Sequence, residues 1–541
     1  MSAAPARASG GAGTVIRRII LFSILYALVV VAAIGLSGLI ERVIGAPSVI
    51  VGDDSGLARS LAFTFIGVPL AGVLWWWQRR RLADPGERAS LVWALYLTAM
   101  SLTSLIVATV SIASAANAGI DGEWRPGELA AGTVWAGVWL WHRHMRLSAA
   151  TAPTRLAELP VELGALYGLI AGATGAIAAV ASLISEALVD VGAQLVASQD
   201  WYVPVLQGIV WCLIGGLVWW WHWFRDHGRT ASGAFAGVLL VIVIGAATAT
   251  TLFSIGTALF VLLRVLFDSD PIGEVLSPLD VAIAATLIGA IVWIYHAQEL
   301  ATRSERTRRA ARLVISAIAL IGAASGFGVI VNALLATLGP TLVDDDPRTL
   351  LLGGISALVV SGPAWWLAWR PDRPTSADAA DQPRRVYLVA VFGASAVVAL
   401  VTLLIIGFRV FEFALDVGEG GGLVERIRAP LGLLSATVLV FGYHFAVWRH
   451  DRALAPAAPT APRREIGRVI LVTAGEPGDG PARIRETTGA AVTVWAAADA
   501  EARLDDEGLT GLLESLTDVT APRVLVIAQP GGGASVVPLA D

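Results

Sequence analysis

The sequence predicts an all-α polytopic membrane protein, about twelve transmembrane helices arranged as six repeated hairpins, followed by a small C-terminal cytoplasmic α/β domain. Three observations predict it. Of 541 residues, 56% are hydrophobic and only 15% charged, with a mean hydropathy of +0.70, far from the balance of a soluble domain. An apolar stretch, an acidic connector and a second apolar stretch ending in aromatic residues recur at steps of roughly 65 to 80 residues. Arginine is also divided unequally between alternate connectors, the asymmetry that membrane proteins show between their two sides.

Residues 1–15 read as a disordered tail. A helix needs about 20 apolar residues to cross about 30 Å of hydrocarbon, where an unpaired backbone group costs several kcal/mol. Twelve stretches meet or approach that length: Ile19 to Ile40, Leu57 to Trp77, Leu91 to Ala115, Leu129 to Trp141, Leu163 to Ile184, Val203 to Trp221, Ala234 to Leu263, Val281 to Tyr295, Leu313 to Leu338, Leu350 to Trp369, Val386 to Phe408 and Leu431 to Val447. The fourth and eighth are short and must recruit flanking residues. Paired, the stretches give hairpins over about 16–82, 88–146, 160–226, 229–300, 308–371 and 384–450, within a membrane region 16–452.

Connectors on the side of the N-terminus carry Arg79, Arg80, Arg81, Arg143, Arg146, Arg225, Arg306, Arg308 and Arg309. Opposite connectors concentrate Asp53, Asp54, Asp121, Glu123, Asp268, Asp270, Asp344, Asp345 and Asp346. Positive charge collects on the cytoplasmic side, so both termini are expected there. The first stretch is a full span with no small-x-small cleavage site, which argues against a cleaved signal peptide. Every basic residue is arginine, which reads as the mark of a GC-rich bacterial genome and so of a bacterial plasma membrane.

Aromatic clusters close the even-numbered stretches: Trp75-Trp76-Trp77, Trp139 and Trp141, Trp219-Trp220-Trp221, Trp293 and Tyr295, Trp365-Trp366, and Phe441 with Tyr443. Trp and Tyr settle at headgroup level, where the ring is half buried and its polar atom is wet, so they are expected to act as interfacial anchors. His142, His222, His296 and His444 occupy equivalent repeat positions at these ends. Brought together around an axis they would form a metal or haem site or a pH-responsive ring. Against convergence, they lie on four helices, and the first repeat carries Gln78 in that place. No cofactor is therefore expected as the leading reading.

Gly164, Gly168 and Gly172, and Gly322 with Gly326, are small-xxx-small steps that favour close helix pairing. Ionisable residues inside lipid are costly and mark transport sites, and this chain is nearly bare of them. Arg409 and Glu412, three apart, are expected to pair on one face; Asn332, Gln207 and Asp280 complete the set. The single cysteine, Cys212, has no mate for a disulfide. A net charge of -5 gives no reason to expect a nucleic-acid partner.

After the last span, 453–462 is an Ala/Pro linker and 463–541 a soluble α/β domain. Val469 to Thr473, Val492 to Trp495, Val524 to Ala528 and Val536 to Leu539 read as strands, with helices near Ala482 to Thr487 and Leu509 to Thr517, in the order βαβαββ. Gly475-Glu476-Pro477-Gly478-Asp479-Gly480 follows a strand and precedes a helix but has neither phosphate-loop spacing. It reads as a tight polar connection.

The Arg-Arg-Ile-Ile-Leu opening at Arg17 to Leu21, its echo Arg-Arg-Val-Tyr-Leu at Arg384 to Leu388, and the Trp clusters resemble a bacterial family of multi-span proteins known only as a domain of unknown function. The resemblance covers about Val15 to Arg452 and implies a repeated integral-membrane domain with no catalytic residues to carry over. Together the residues point to a non-enzymatic scaffold or sensor in the lipid bilayer, whose cytoplasmic domain meets a protein partner. A small-solute transporter or channel is the alternative, and a histidine-held haem or metal the third.

Overall fold

The computed structural model describes residues 12–45, 54–189, 200–231, 233–338, 347–369, 382–417, 422–454, 466–475, 478–519 and 521–539. Asp53, Asp344, Asp345, Asp346, most of the Ala/Pro linker, Glu476 and Pro477 lie outside the described residues. The chain divides into two compact units, the helical array as far as Val447 and a C-terminal unit from Trp448.

Among the described residues the array holds twelve long helices: α1 (Ala12–Ile44), α2 (Asp54–Arg81), α3 (Leu91–Ile120), α4 (Pro126–Leu147), α5 (Leu159–Val189), α6 (Tyr202–Trp220), α7 (Ala234–Phe267), α8 (Leu279–Ala301), α9 (Glu305–Ala336), α10 (Pro347–Trp369), α11 (Gln382–Ala414) and α12 (Leu423–Leu454). Among the described residues, eleven helices are long and apolar enough to cross a membrane. The exception is α4. Its 22 residues include Glu128, His142, Arg143, His144 and Arg146, and it packs against α1 and α3. A helix shielded by neighbours needs less apolar surface than one facing lipid. The expected twelve apolar spans therefore become eleven plus one polar-tipped helix.

Several helices run past their expected ends. α1 starts at Ala12, inside the expected tail, and has 33 residues; α7 has 34. At 1.5 Å per residue such helices are about 50 Å long, more than the hydrocarbon needs. Local chemistry sets several ends. Ser304 caps α9 by accepting from Thr307 N, and Pro126 opens α4, where its missing N–H costs nothing. α6 runs into a π-helical turn at Trp221–Arg225, and His227 then turns the chain at φ 63°.

The first five pairs of neighbouring helices pack as hairpins, while α11 and α12 meet through Phe392, Phe441 and Phe445. α1 packs on α2, α3 and α4; α5 packs on α6, α7 and α8; α9 packs on α10 and α11 and meets α12 where Gly328 lies against Gly432. Each set of four is one bundle organised around its first helix. Glycine permits the tightest crossings: a Cβ at Gly172 would lie 2.9 Å from Gly216 N, and one at Gly326 2.6 Å from Leu358 N. Small residues of this kind let helix backbones approach closely.

The C-terminal unit holds β1 (Arg468–Thr473), α13 (Gly480–Thr488), β2 (Ala491–Ala496), α14 (Asp506–Thr517), β3 (Arg523–Ala528) and β4 (Ala534–Leu539). The sheet order is β2-β1-β3-β4, with β1 parallel to β2 and β3, and β4 antiparallel to β3. Val469, Leu471, Val524 and Val526 form its core with Ile484 of α13 and Leu509, Leu512 and Leu516 of α14. Both helices thus cover one sheet face. The opposite face carries Ile470, Val472, Trp495, Leu525, Ile527 and Val537, with Trp495 56% exposed.

Candidate functional site

At one end of the array the aromatic clusters and histidines form a layer with a repeated geometry. Trp75 of α2 meets Trp141 of α4 edge-on at 5.6 Å, Trp219 of α6 meets Tyr295 of α8 at 5.5 Å, and Trp365 of α10 meets Tyr443 of α12 at 5.6 Å. Edge-to-face pairs of this kind add about 0.5–1.5 kcal/mol beyond area burial. Beside them Trp223 and Trp369 each donate from Nε1 to the Tyr295 and Tyr443 hydroxyls at 2.8 Å. The clusters are therefore only partly the outward anchors that the sequence suggests. Trp75, Trp139, Trp141, Trp219, Trp221, Tyr295 and Trp365 are half buried between helices, whereas Trp76, Trp77, Trp220, Trp293 and Trp366 are exposed. Arg80 and Arg81 stack over the outward Trp76 and Trp77 rings at 3.8 and 3.9 Å.

The four repeat histidines are buried next to these rings. In each, Nδ1 bonds the carbonyl of the valine four residues earlier: Val138 at 2.8 Å, Val218 at 2.8 Å, Val292 at 2.8 Å and Val440 at 2.9 Å. A carbonyl only accepts, so Nδ1 carries the hydrogen and Nε2 is left as the acceptor. His142 Nε2 takes the Tyr96 hydroxyl at 3.2 Å, and His444 Nε2 has no hydrogen-bond partner. The layer does not gather them into one site. His142 lies with Tyr96 and Trp141, His222 with Trp139, His296 with Trp219 and Trp223, and His444 with Trp365, Trp369 and Tyr387. Among the described residues, no three His, Cys, Asp or Glu side chains are grouped to hold a metal ion.

Nor do the polar residues singled out in the apolar helices converge. Arg409 pairs with Glu412 at 2.8 Å on an exposed face of α11. Gln207, near the start of α6, donates to Asp121 beyond the end of α3 at 3.2 Å. Asp280 bonds the Val281 amide at the start of α8. Asn332 lines a groove of about 700 Å³ bounded by α9, α11 and α12. Ala324, Val329, Ala394, Val398, Leu433 and Val440 make most of its wall, with Ser325, Tyr387, Ser395 and Thr437 among them. The Asn332 side-chain oxygen has no hydrogen-bond partner.

Charged side chains join the first two bundles at one end. Arg143 and Arg146 of α4 grip Asp226 at 2.6 and 2.7 Å, and Arg229 meets Glu299 at 2.9 Å. At the other end Arg264 bonds Asp268 at 2.8 Å. That guanidinium holds the Asp268 carboxyl below its ordinary range. Tyr96, Asp226 and Glu299 were not singled out from the sequence. The signal for the histidine layer was present in the Val-x-x-x-His spacing that recurs at all four positions.

The bundles seen in the structure coincide with a family domain. A family model described as "Domain of unknown function (DUF5671)" matches residues 14–140, 158–295 and 309–443, which is α1–α4, α5–α8 and α9–α12, about three quarters of the chain. The chain belongs to the DUF5671 family. The hairpin repeat read from the sequence is thus half of the family unit, and three DUF5671 copies stand in tandem. No curated protein and no solved structure matches the chain.

Proposed function

We propose that this DUF5671 protein is a multi-pass membrane scaffold or sensor. The helical array lies in a bacterial plasma membrane with the aromatic–histidine layer at the cytoplasmic surface, and the α/β unit meets a protein partner through its uncovered sheet face. The groove of the third copy is the sensing site, and it takes a single-chain amphiphile bearing a hydrogen-bond donor. The observation that carries this reading is an apolar volume of about 700 Å³ with one unpaired acceptor, Asn332 Oδ1. Ligand sites are commonly apolar cavities of about 300–1,000 Å³ with few polar groups, and an acceptor left unpaired in apolar surroundings costs about 1–3 kcal/mol until a donor arrives. Scattered polar residues argue less well for transport than an open, mostly apolar groove argues for capture.

Lipid extraction and native mass spectrometry of the purified protein test the proposal. An amphiphile should accompany the wild type, fall about tenfold in occupancy in Asn332→Leu for a loss of about 1.4 kcal/mol, and vanish in Ala324→Phe, which fills the groove. Equal amphiphile content in all three proteins would refute it.

A further inference from the structure

The two joints between family copies use the same helices, and both ends of the array keep the matching surfaces uncovered. α3 packs on α5 and α6, and α7 packs on α9 and α10; the third helix of each copy thus receives the first two helices of the next. In the second joint a Cβ at Gly245 would lie 2.8 Å from Val314, Phe253 reaches within 3.2 Å of the Cβ position of Gly322, and Phe260 within 3.7 Å of that of Gly353. At the helix end Thr349 donates to Asp268 at 3.5 Å and Arg348 to the Phe267 carbonyl at 3.2 Å.

α11 repeats this stripe. Tyr295-His296 and Tyr443-His444 are the same positions of successive copies, and the same offset sets Gly393, Val401, Phe408 and Asp416 in the places of Gly245, Phe253, Phe260 and Asp268. Here no fourth copy follows. A Cβ at Gly393 would have nothing within 4 Å, Val401 and Phe408 are 50% and 63% exposed, and Asp416 is exposed. At the other end, α1 and α2 are the first two helices of the copy matched at residues 14–140. α1 shows Ile16, Ile20 and Ile24 outward along one face, and Ile66 of α2 is 60% exposed. Arg59 precedes Trp75 by the same sixteen residues by which Thr349 precedes Trp365, and it is exposed.

We infer that α11 of one chain docks on α1 and α2 of a second copy of this protein, continuing the internal joint head to tail. Asp416 meets Arg59 where Asp268 meets Thr349 within the chain, and Gly393 offers the close approach that lipid-embedded association requires. α11 plays the part of α7, and α1 and α2 that of α9 and α10, so both chains keep the same sidedness in a membrane. The contact joins two different surfaces, so it closes into a ring or extends as a row. The inference is independent of what the groove binds.

In a Cys212→Ser background, chains carrying Asp416→Cys and differently tagged chains carrying Arg59→Cys are co-expressed and oxidised in native membranes. Cross-links are expected only between unlike chains. Mass measurement in lipid nanodiscs should give multiples of the chain mass for the wild type and a single chain for Gly393→Trp, whose new ring enters open space in one chain. A wild type that is monomeric throughout, links between two Asp416→Cys chains, or an unchanged assembly in Gly393→Trp would each overturn the inference.

Discussion

Asp226 has only 3% of its side chain exposed and sits between two guanidinium groups. Removing the carboxylate would leave Arg143 and Arg146 facing each other with no counter-charge, and breaking a buried pair costs about 3–5 kcal/mol. Both arginines keep some access to water, so Asp226→Ala should cost about 3 kcal/mol, read as a lowered unfolding midpoint in detergent; an unchanged midpoint would show the cluster to be ornamental. Nothing in the local sequence announces Asp226, because its partners are about eighty residues away. The Arg409–Glu412 pair was legible for the opposite reason: both partners share one helix turn. The histidines were legible as a repeat, yet their separate surroundings depend on which helices meet.

At the scale of elements, hydropathy located the spans well and misjudged their ends. Apolar length marks what lipid can hold, while hydrogen bonding continues a helix beyond its apolar run, as in α1 and α7. α4 shows the converse, since its polar tip is held by Asp226 and by Tyr96 of α3 rather than by its own apolarity. The small-residue steps pointed correctly to close pairing. Gly326→Leu should lower stability by about 1–3 kcal/mol, the usual cost of overpacking, because its Cβ position already lies 2.6 Å from the Leu358 backbone. Gly256→Leu, with nothing within 4 Å, should leave the detergent-denaturation midpoint unchanged. Equal effects of the two would contradict the packing described.

Across the whole molecule, the hairpin period was visible because the second and fourth helices of each copy end in side-by-side aromatic clusters. The pairs Trp75–Trp141, Trp219–Tyr295 and Trp365–Tyr443 make two hairpins look like two repeats. The doubled unit was hidden, for it is defined by which hairpins share a first helix. The groove was hidden too, since its wall of alanine, valine and serine is ordinary span composition. The succession of strands and helices in the α/β unit was readable from its short apolar runs, whereas the sheet order and the uncovered face appear only in the folded unit.

The central claim is that an even series of membrane passes, α4 included, alternates through this array. Substituted-cysteine labelling tests it in intact cells, using a Cys212→Ser background and a maleimide that cannot cross membranes. Cysteines at Glu123, Asp270 and Asp416 should label from outside, and those at Asp84, Gly228 and Ser304 only after lysis. Labelling of Gly228→Cys or Ser304→Cys from outside, or protection of Asp270→Cys, would contradict it.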